Sequence, residues 1–169
     1  MIAVLEATDQ EVIKKFDAKT KSIDVLDKFN NQSGDWTIRH YVVVSPSMFL
    51  IHYLHLPISF WLMTGLMVSE RDFLYVEHHK VEGNTTTYLT TSIDDLYPAD
   101  KCPVVGVRAT NIFSYFKMVE EGGNLHVVFL GQANPNGWIP LAVSNQVVYE
   151  RPLTLVAAGK YIGKTVKGV

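Results

Sequence analysis

Two stretches of the chain, 22–44 and 71–133, place apolar residues at a period near two, the spacing of strands with one buried face. Ser22–Phe29 sets Ile23, Val25 and Leu26 against Asp24 and Asp27. Trp36–Val44 is β-branched and aromatic throughout. Arg71–Lys80 alternates, with Phe73, Tyr75 and Glu77 on one face and Asp72, Leu74, Val76 and His78 on the other. Thr85–Ile93, Val104–Val119 and Leu125–Ala133 continue the series, the middle one long and with a bulge expected near Thr110-Asn111. Ser33-Gly34, Gly83-Asn84 and Gly122-Gly123 mark tight turns, and Asp94–Pro103 reads as a loop. Helical spacing occurs only at the two ends. Thr8–Phe16 has a cap at Thr8 or Asp9 and apolar Val12, Ile13 and Phe16. After the turn Asn134–Gly137, Pro140 opens a helix through Val143, Val147, Leu155, Ala158 and Ile162, which Pro152 is expected to bend or divide. This order predicts an α+β fold. A curved antiparallel sheet of about six strands carries one long C-terminal helix across its open face, leaving a cavity suited to apolar ligands.

One segment breaks the alternation. Met48–Val68 contains no Lys, Arg, Asp or Glu and is long enough to cross a bilayer. His52, His55 and the mid-segment Pro57 argue against that, as does the lack of basic flanks. The 169 residues, 47% apolar and 19% charged, are read as a single domain with one core. A net charge of −2 gives no drive toward nucleic acid. The lone Cys102 excludes an internal disulfide and a cysteine-based zinc cluster, which fits a reducing compartment. The N-terminus shows no secretory signal, and a cytoplasmic protein, peripheral at membranes, is expected. Adjacent His78 and His79 point to opposite strand faces and cannot share an ion, and His52 and His55 have no nearby carboxylate, so no metal is expected. There is no G-x-S-x-G, and Gly163-Lys164-Thr165 lacks the first glycine of a phosphate loop because Ala158 stands there. No catalytic residue and no cofactor are expected.

Five short motifs, in order, resemble the START (StAR-related lipid-transfer) domain family. They are Lys14-Lys15-Phe16-Asp17, Val25-Leu26, Ser69-Glu70-Arg71-Asp72-Phe73, Val107-Arg108-Ala109 and the run Gly131–Pro140. The resemblance implies a helix-grip fold that binds a lipid between sheet and C-terminal helix and moves it between membranes without chemistry. It also implies an N-terminally shortened domain, lacking the family's first helix and first three strands. The strand 125–133 would then be an open edge inviting a dimer. The region 45–69 corresponds to an apolar insertion or an enlarged gate loop, with transient membrane contact through 48–68 and Trp61 as a gate residue. Sterol carriers of the family place an arginine where this chain has Glu77, and an aspartate in the turn held here by Asn134-Pro135-Asn136-Gly137. A phospholipid or sphingolipid is therefore favoured over a sterol. The alternative is a truncated fragment acting as an interaction or regulatory module.

Each candidate site residue has two readings. Arg71 and Asp72 form either a buried pair that fixes the gate loop or a surface pair of little energy. If the face of Phe73 and Tyr75 lines the cavity, Glu77 contacts a head group or pairs with Arg108; otherwise it is a solvated charge. Arg108 suits a phosphate through its planar fork, or snorkels outward. Tyr75, Tyr88, Gln132 and Asn145 are polar candidates for a head group or hydrogen-bonding members of the fold.

Overall fold

The structure, a computed structural model, describes residues 10–44, 68–139 and 141–167. Its elements are α1 (Gln10–Ile13), β1 (Thr20–Asn31), β2 (Gly34–Val43), β3 (Arg71–Glu82), β4 (Thr85–Ser92), β5 (Val107–Arg108), β6 (Thr110–Glu121), β7 (Asn124–Asn134) and α2 (Leu141–Lys167). The sheet runs in the order β1-β2-β3-β4-β6-β7, with the short β5 pairing β3. The β3–β4, β4–β6 and β6–β7 pairs are antiparallel.

Turn chemistry sets the registers. Glu121 pairs with Asn124, so Gly122 and Gly123 alone make the β6–β7 turn, at φ 58 and 76. Two positive φ values are what a two-residue primed turn needs, and only glycine takes both at no steric cost. At the start of β2, Gly34 has φ 140, and a Cβ there would lie 2.6 Å from the His79 carbonyl oxygen. Gly34→Ala is accordingly expected to destabilise the protein by roughly 1–3 kcal/mol, through strain and backbone collision together. A urea midpoint unchanged from that of the parent protein would refute this.

The chain packs as two compact units. One comprises residues 24–41 and 72–136, most of the sheet. Its apolar core is Leu74, Ile93 and Cys102, with Leu26, Ile38, Val76 and Tyr97 packed around them. The loop expected at 94–103 is therefore not a mere connector, since Tyr97 and Cys102 fold against β3. The other unit contains the described residues of 10–23, 42–71 and 137–167. Ile13, Val42, Val68 and Ala158 are its buried apolar residues. In it Phe16 meets the Tyr161 ring of α2 at 6.2 Å, and Lys15 lies over the same ring. Asp17 closes the turn after α1, accepting from the Lys19 amide at 3.1 Å and the Thr20 hydroxyl at 3.0 Å.

Two expectations need correction. The strand expected at 104–119 is two strands, β5 and β6, separated at Ala109. Ala109 is fully buried and its amide bonds the Asp72 carbonyl at 2.8 Å, so the chain changes partner there from β3 to β4 and β7. A register shift does follow, between Asn111 and Phe113. Secondly, of the two effects expected of Pro152, division does not occur: α2 is one helix from Leu141 to Lys167. The segment 48–67, including Trp61, lies outside the described residues. Among the described residues no helix is long and apolar enough to cross a membrane.

Candidate functional site

Pleating gives the sheet two different faces. One carries Arg39 and Tyr41 from β2, Phe73, Tyr75, Glu77 and His79 from β3, and Tyr88 and Thr90 from β4. The register fixes this set: Glu77 stands opposite Thr90, His79 opposite Tyr88, and Tyr88 opposite Phe116. At its centre Arg39 Nε and Nη2 both donate to Glu77 Oε1, at 3.2 and 3.1 Å. The two side chains are only 6% and 12% exposed, so this is a buried ion pair. Aromatic rings flank it. Tyr41 stacks near Phe73 at 6.0 Å, and His79 lies flat on Tyr88 at 4.5 Å. A polar row continues onto β6, where Asn111 Nδ2 donates to Thr90 Oγ1 at 2.7 Å and Ser114 Oγ to Asn111 Oδ1 at 3.0 Å. Thr86, Tyr88, Thr90, Asn111 and Met118 are buried. This face thus combines apolar rings, hydroxyls, an amide and one buried pair of opposite charges.

The opposite face carries Asp72, which has no exposed surface. Its Oδ2 accepts from Arg108 Nε at 3.1 Å and from the Val105 amide at 3.2 Å, with His40 Nε2 at 2.8 Å. Arg108 Nη2 lies 2.9 Å from the same oxygen. Arg108 also donates to Asp94 Oδ1 at 3.0 Å and to the Cys102 carbonyl at 3.1 Å. Burial opposes the Arg108 charge, but the bonds to Asp94 and Asp72 outweigh it, so its pKa is raised. Burial likewise pushes the Cys102 thiol up, the opposing field of Arg108 notwithstanding. A buried thiol held protonated is a poor nucleophile. The arrangement is a clamp: one guanidinium joins β3, β5 and both ends of the 94–102 loop. The Asp72 Oδ1 atom is buried with no hydrogen-bond partner.

The structure separates residues that the sequence reading grouped. Glu77 pairs with Arg39 and not with Arg108, because Glu77 and Asp72 point to opposite faces of β3. Arg71 and Asp72 are both buried, but as strand neighbours they also diverge. Asp72 is held by Arg108 and His40, whereas Arg71 Nη1 donates to the Ser69 carbonyl at 2.6 Å. Burial lowers the Arg71 pKa. Tyr75 is half-buried and Tyr88 buried on the Arg39 face. Gln132 is exposed and pairs with Phe113, on the other face, and Asn145 is exposed on α2. Asn136 turns inward: its side-chain amide donates to the Arg108 carbonyl and the Thr110 hydroxyl, both at 3.0 Å. Arg39 was absent from the sequence candidates. Its only signal was an arginine inside an otherwise aromatic and β-branched strand. A hollow of about 350 Å³ lies at the β1–β2 turn, lined by residues such as Asn31, Ser33, Asp35 and Lys80. Its walls include neither Arg39 nor Glu77, although His79 is one of them.

No protein-family model matches the chain, and no curated protein does. Solved structures do. Human STARD10 superposes with a TM-score of 0.63 at 17% identity, over 98% of this chain and 60% of that one. The human StarD13 (DLC2) lipid transfer and protein localization domain gives 0.62 at 16%, over 92% and 68%. Human StAR-related lipid transfer protein 5 gives 0.61 at 16%, over 99% and 70%. The fold is START-like. The open antiparallel sheet with its C-terminal helix is the helix-grip arrangement expected from the sequence. The chain spans 60%, 68% and 70% of the length of these three structures. In the START-like frame, the Arg39–Glu77 pair lies on strands β2 and β3, and the Asp72–Arg108 clamp joins β3 to β5.

Proposed function

We propose that this protein is a non-enzymatic lipid-binding module that carries a phospholipid or sphingolipid against the Arg39 face of its sheet. The observation that supports the reading is the buried Arg39–Glu77 pair set among aromatic and hydroxyl side chains in a START-like fold. Burying two charges costs several kcal/mol of desolvation, which the pair's own attraction does not reliably offset. Such a pair is therefore weakly explained by stability, and a ligand that uses it gives it a purpose. A zwitterionic head group matches it. The phosphate would accept from the Arg39 fork, and the ammonium end would face Glu77. Acyl chains would lie on the apolar rings, each buried CH₂ contributing about 0.8 kcal/mol. A sterol, with one hydroxyl, satisfies neither charge. Two of the three similar structures are named for lipid transfer.

The test is binding from vesicles. Fluorescent phosphatidylcholine, ceramide and a sterol are offered in otherwise identical donor vesicles. Extraction of the phosphocholine lipid above the sterol supports the proposal. Equal or sterol-preferring uptake overturns the head-group assignment, and no uptake of any lipid overturns the carrier reading.

A further inference from the structure

Asparagine followed by glycine occurs once in the chain, at Asn136-Gly137. The pair is chemically reactive. The backbone nitrogen of the following residue attacks the asparagine side-chain carbonyl carbon, and glycine, having no side chain, hinders that attack least. Asn134, in the same turn, is exempt, because Pro135 has no N–H to give up. The fold holds Asn136 against the reaction. Its backbone amide donates to Asn134 Oδ1 at 3.0 Å. Its side-chain Nδ2 donates to the Arg108 carbonyl and to Thr110 Oγ1, both at 3.0 Å. The residue sits in the left-handed region, at φ 50, which asparagine enters more readily than most side chains. Arg108 is the clamp residue: its side chain grips Asp72 and Asp94 while its carbonyl holds Asn136. The chain also passes from one compact unit to the other at the Asn136–Gly137 peptide bond.

We propose that Asn136-Gly137 is a self-modification site. Seated, Asn136 is preserved; unseated, it deamidates and the turn cannot be rebuilt. The step needs only water. The Gly137 nitrogen gives up its proton and bonds to Asn136 Cγ, the Cγ–Nδ2 bond breaks, and Nδ2 leaves as ammonia. Water then opens the five-membered imide at either carbonyl. The product is aspartate, or isoaspartate with the main chain running through the former side-chain carbons. Ring closure swings Cγ onto the Gly137 nitrogen and so breaks both Nδ2 bonds. Two hydrogen bonds lost on the way to the ring slow the seated residue roughly 5- to 150-fold relative to an open chain. Nor does the product regain the seat. A carboxylate has no proton for the Arg108 carbonyl, and two oxygens would face each other there. Isoaspartate also lengthens the main chain by one carbon where the two units join. A transient opening of this turn is thereby made permanent. This inference does not depend on the lipid reading.

The test follows the 169-residue chain in warm, mildly alkaline buffer, with and without unfolding concentrations of urea. The peptide holding Asn136 is monitored by mass spectrometry for conversion of amide to acid. Conversion roughly 5- to 150-fold slower without urea is expected. Thr110→Val removes the hydroxyl acceptor at nearly constant shape, and should speed conversion in buffer but not in urea. Asn136→Asp reproduces the aspartate product. It should lower the melting temperature by roughly 2–12 °C, from leaving the Arg108 carbonyl without its Asn136 donor. Equal conversion with and without urea, a Thr110→Val chain that converts no faster than the parent in buffer, or an Asn136→Asp chain that melts with the parent would each overturn the proposal.

Discussion

Arg108→Met lowers the melting temperature by roughly 6–20 °C. The expectation follows from a loss of about 3–5 kcal/mol on breaking a buried ion pair, at about 2–4 °C per kcal/mol for a chain of this size. The loss is large because Asp72 has no exposed surface and keeps its charge buried when the guanidinium goes. His40 and the Val105 amide then remain at Oδ2, and Asp94 and the Cys102 carbonyl each lose the Arg108 donor. Arg108→Lys should recover only part of this, since one ammonium cannot reach Asp72, Asp94 and the Cys102 carbonyl at once. Raised salt should leave the difference intact, because buried charges are poorly screened. Thermal unfolding of the three proteins side by side decides it. A shift below about 2 °C for Arg108→Met would mean that the clamp is energetically idle.

The second large effect concerns the ligand. Removing Arg39 alone would leave Glu77 buried and unfold the protein for reasons unrelated to lipid. Arg39→Leu combined with Glu77→Leu removes both charges and is expected to be neutral or stabilising, as buried pairs replaced by apolar residues usually are. The same double variant should bind phosphatidylcholine roughly 10- to 150-fold more weakly, from the loss of about 1.5–3 kcal/mol of charge-assisted hydrogen bonds. Exchanging the pair, Arg39→Glu with Glu77→Arg, separates the two roles. It restores an ion pair and hence the fold, but moves the guanidinium to the neighbouring strand and away from the phosphate. Full binding by the exchanged protein would show that the pair is only a strut.

Much of this fold is written in short-range patterns. The period-two runs on β3, β4 and β7, and the glycine turns between strands, depend on local sterics and on which face is buried, so they can be read residue by residue. The break at Ala109 could not be, because it depends on β5 finding Asp72 in another strand. The continuity of α2 through Pro152 was likewise invisible to a rule about isolated helices. At the site, the alternation on β3 correctly put Glu77 and Asp72 on opposite faces. It could not say which arginine each would meet. Arg39 lies 38 positions from Glu77 and Arg108 lies 36 from Asp72. Their pairing is a matter of strand order, β2 against β3 and β5 against β3, and strand order is a property of the whole sheet.

The most direct measurement is native mass spectrometry of the protein purified without detergent or organic solvent, followed by release and identification of whatever it holds. One phospholipid or sphingolipid per chain, lost or replaced when Arg39 and Glu77 are both changed to Leu, is the predicted result. A chain that arrives empty, and stays empty after incubation with phosphatidylcholine vesicles, contradicts the account.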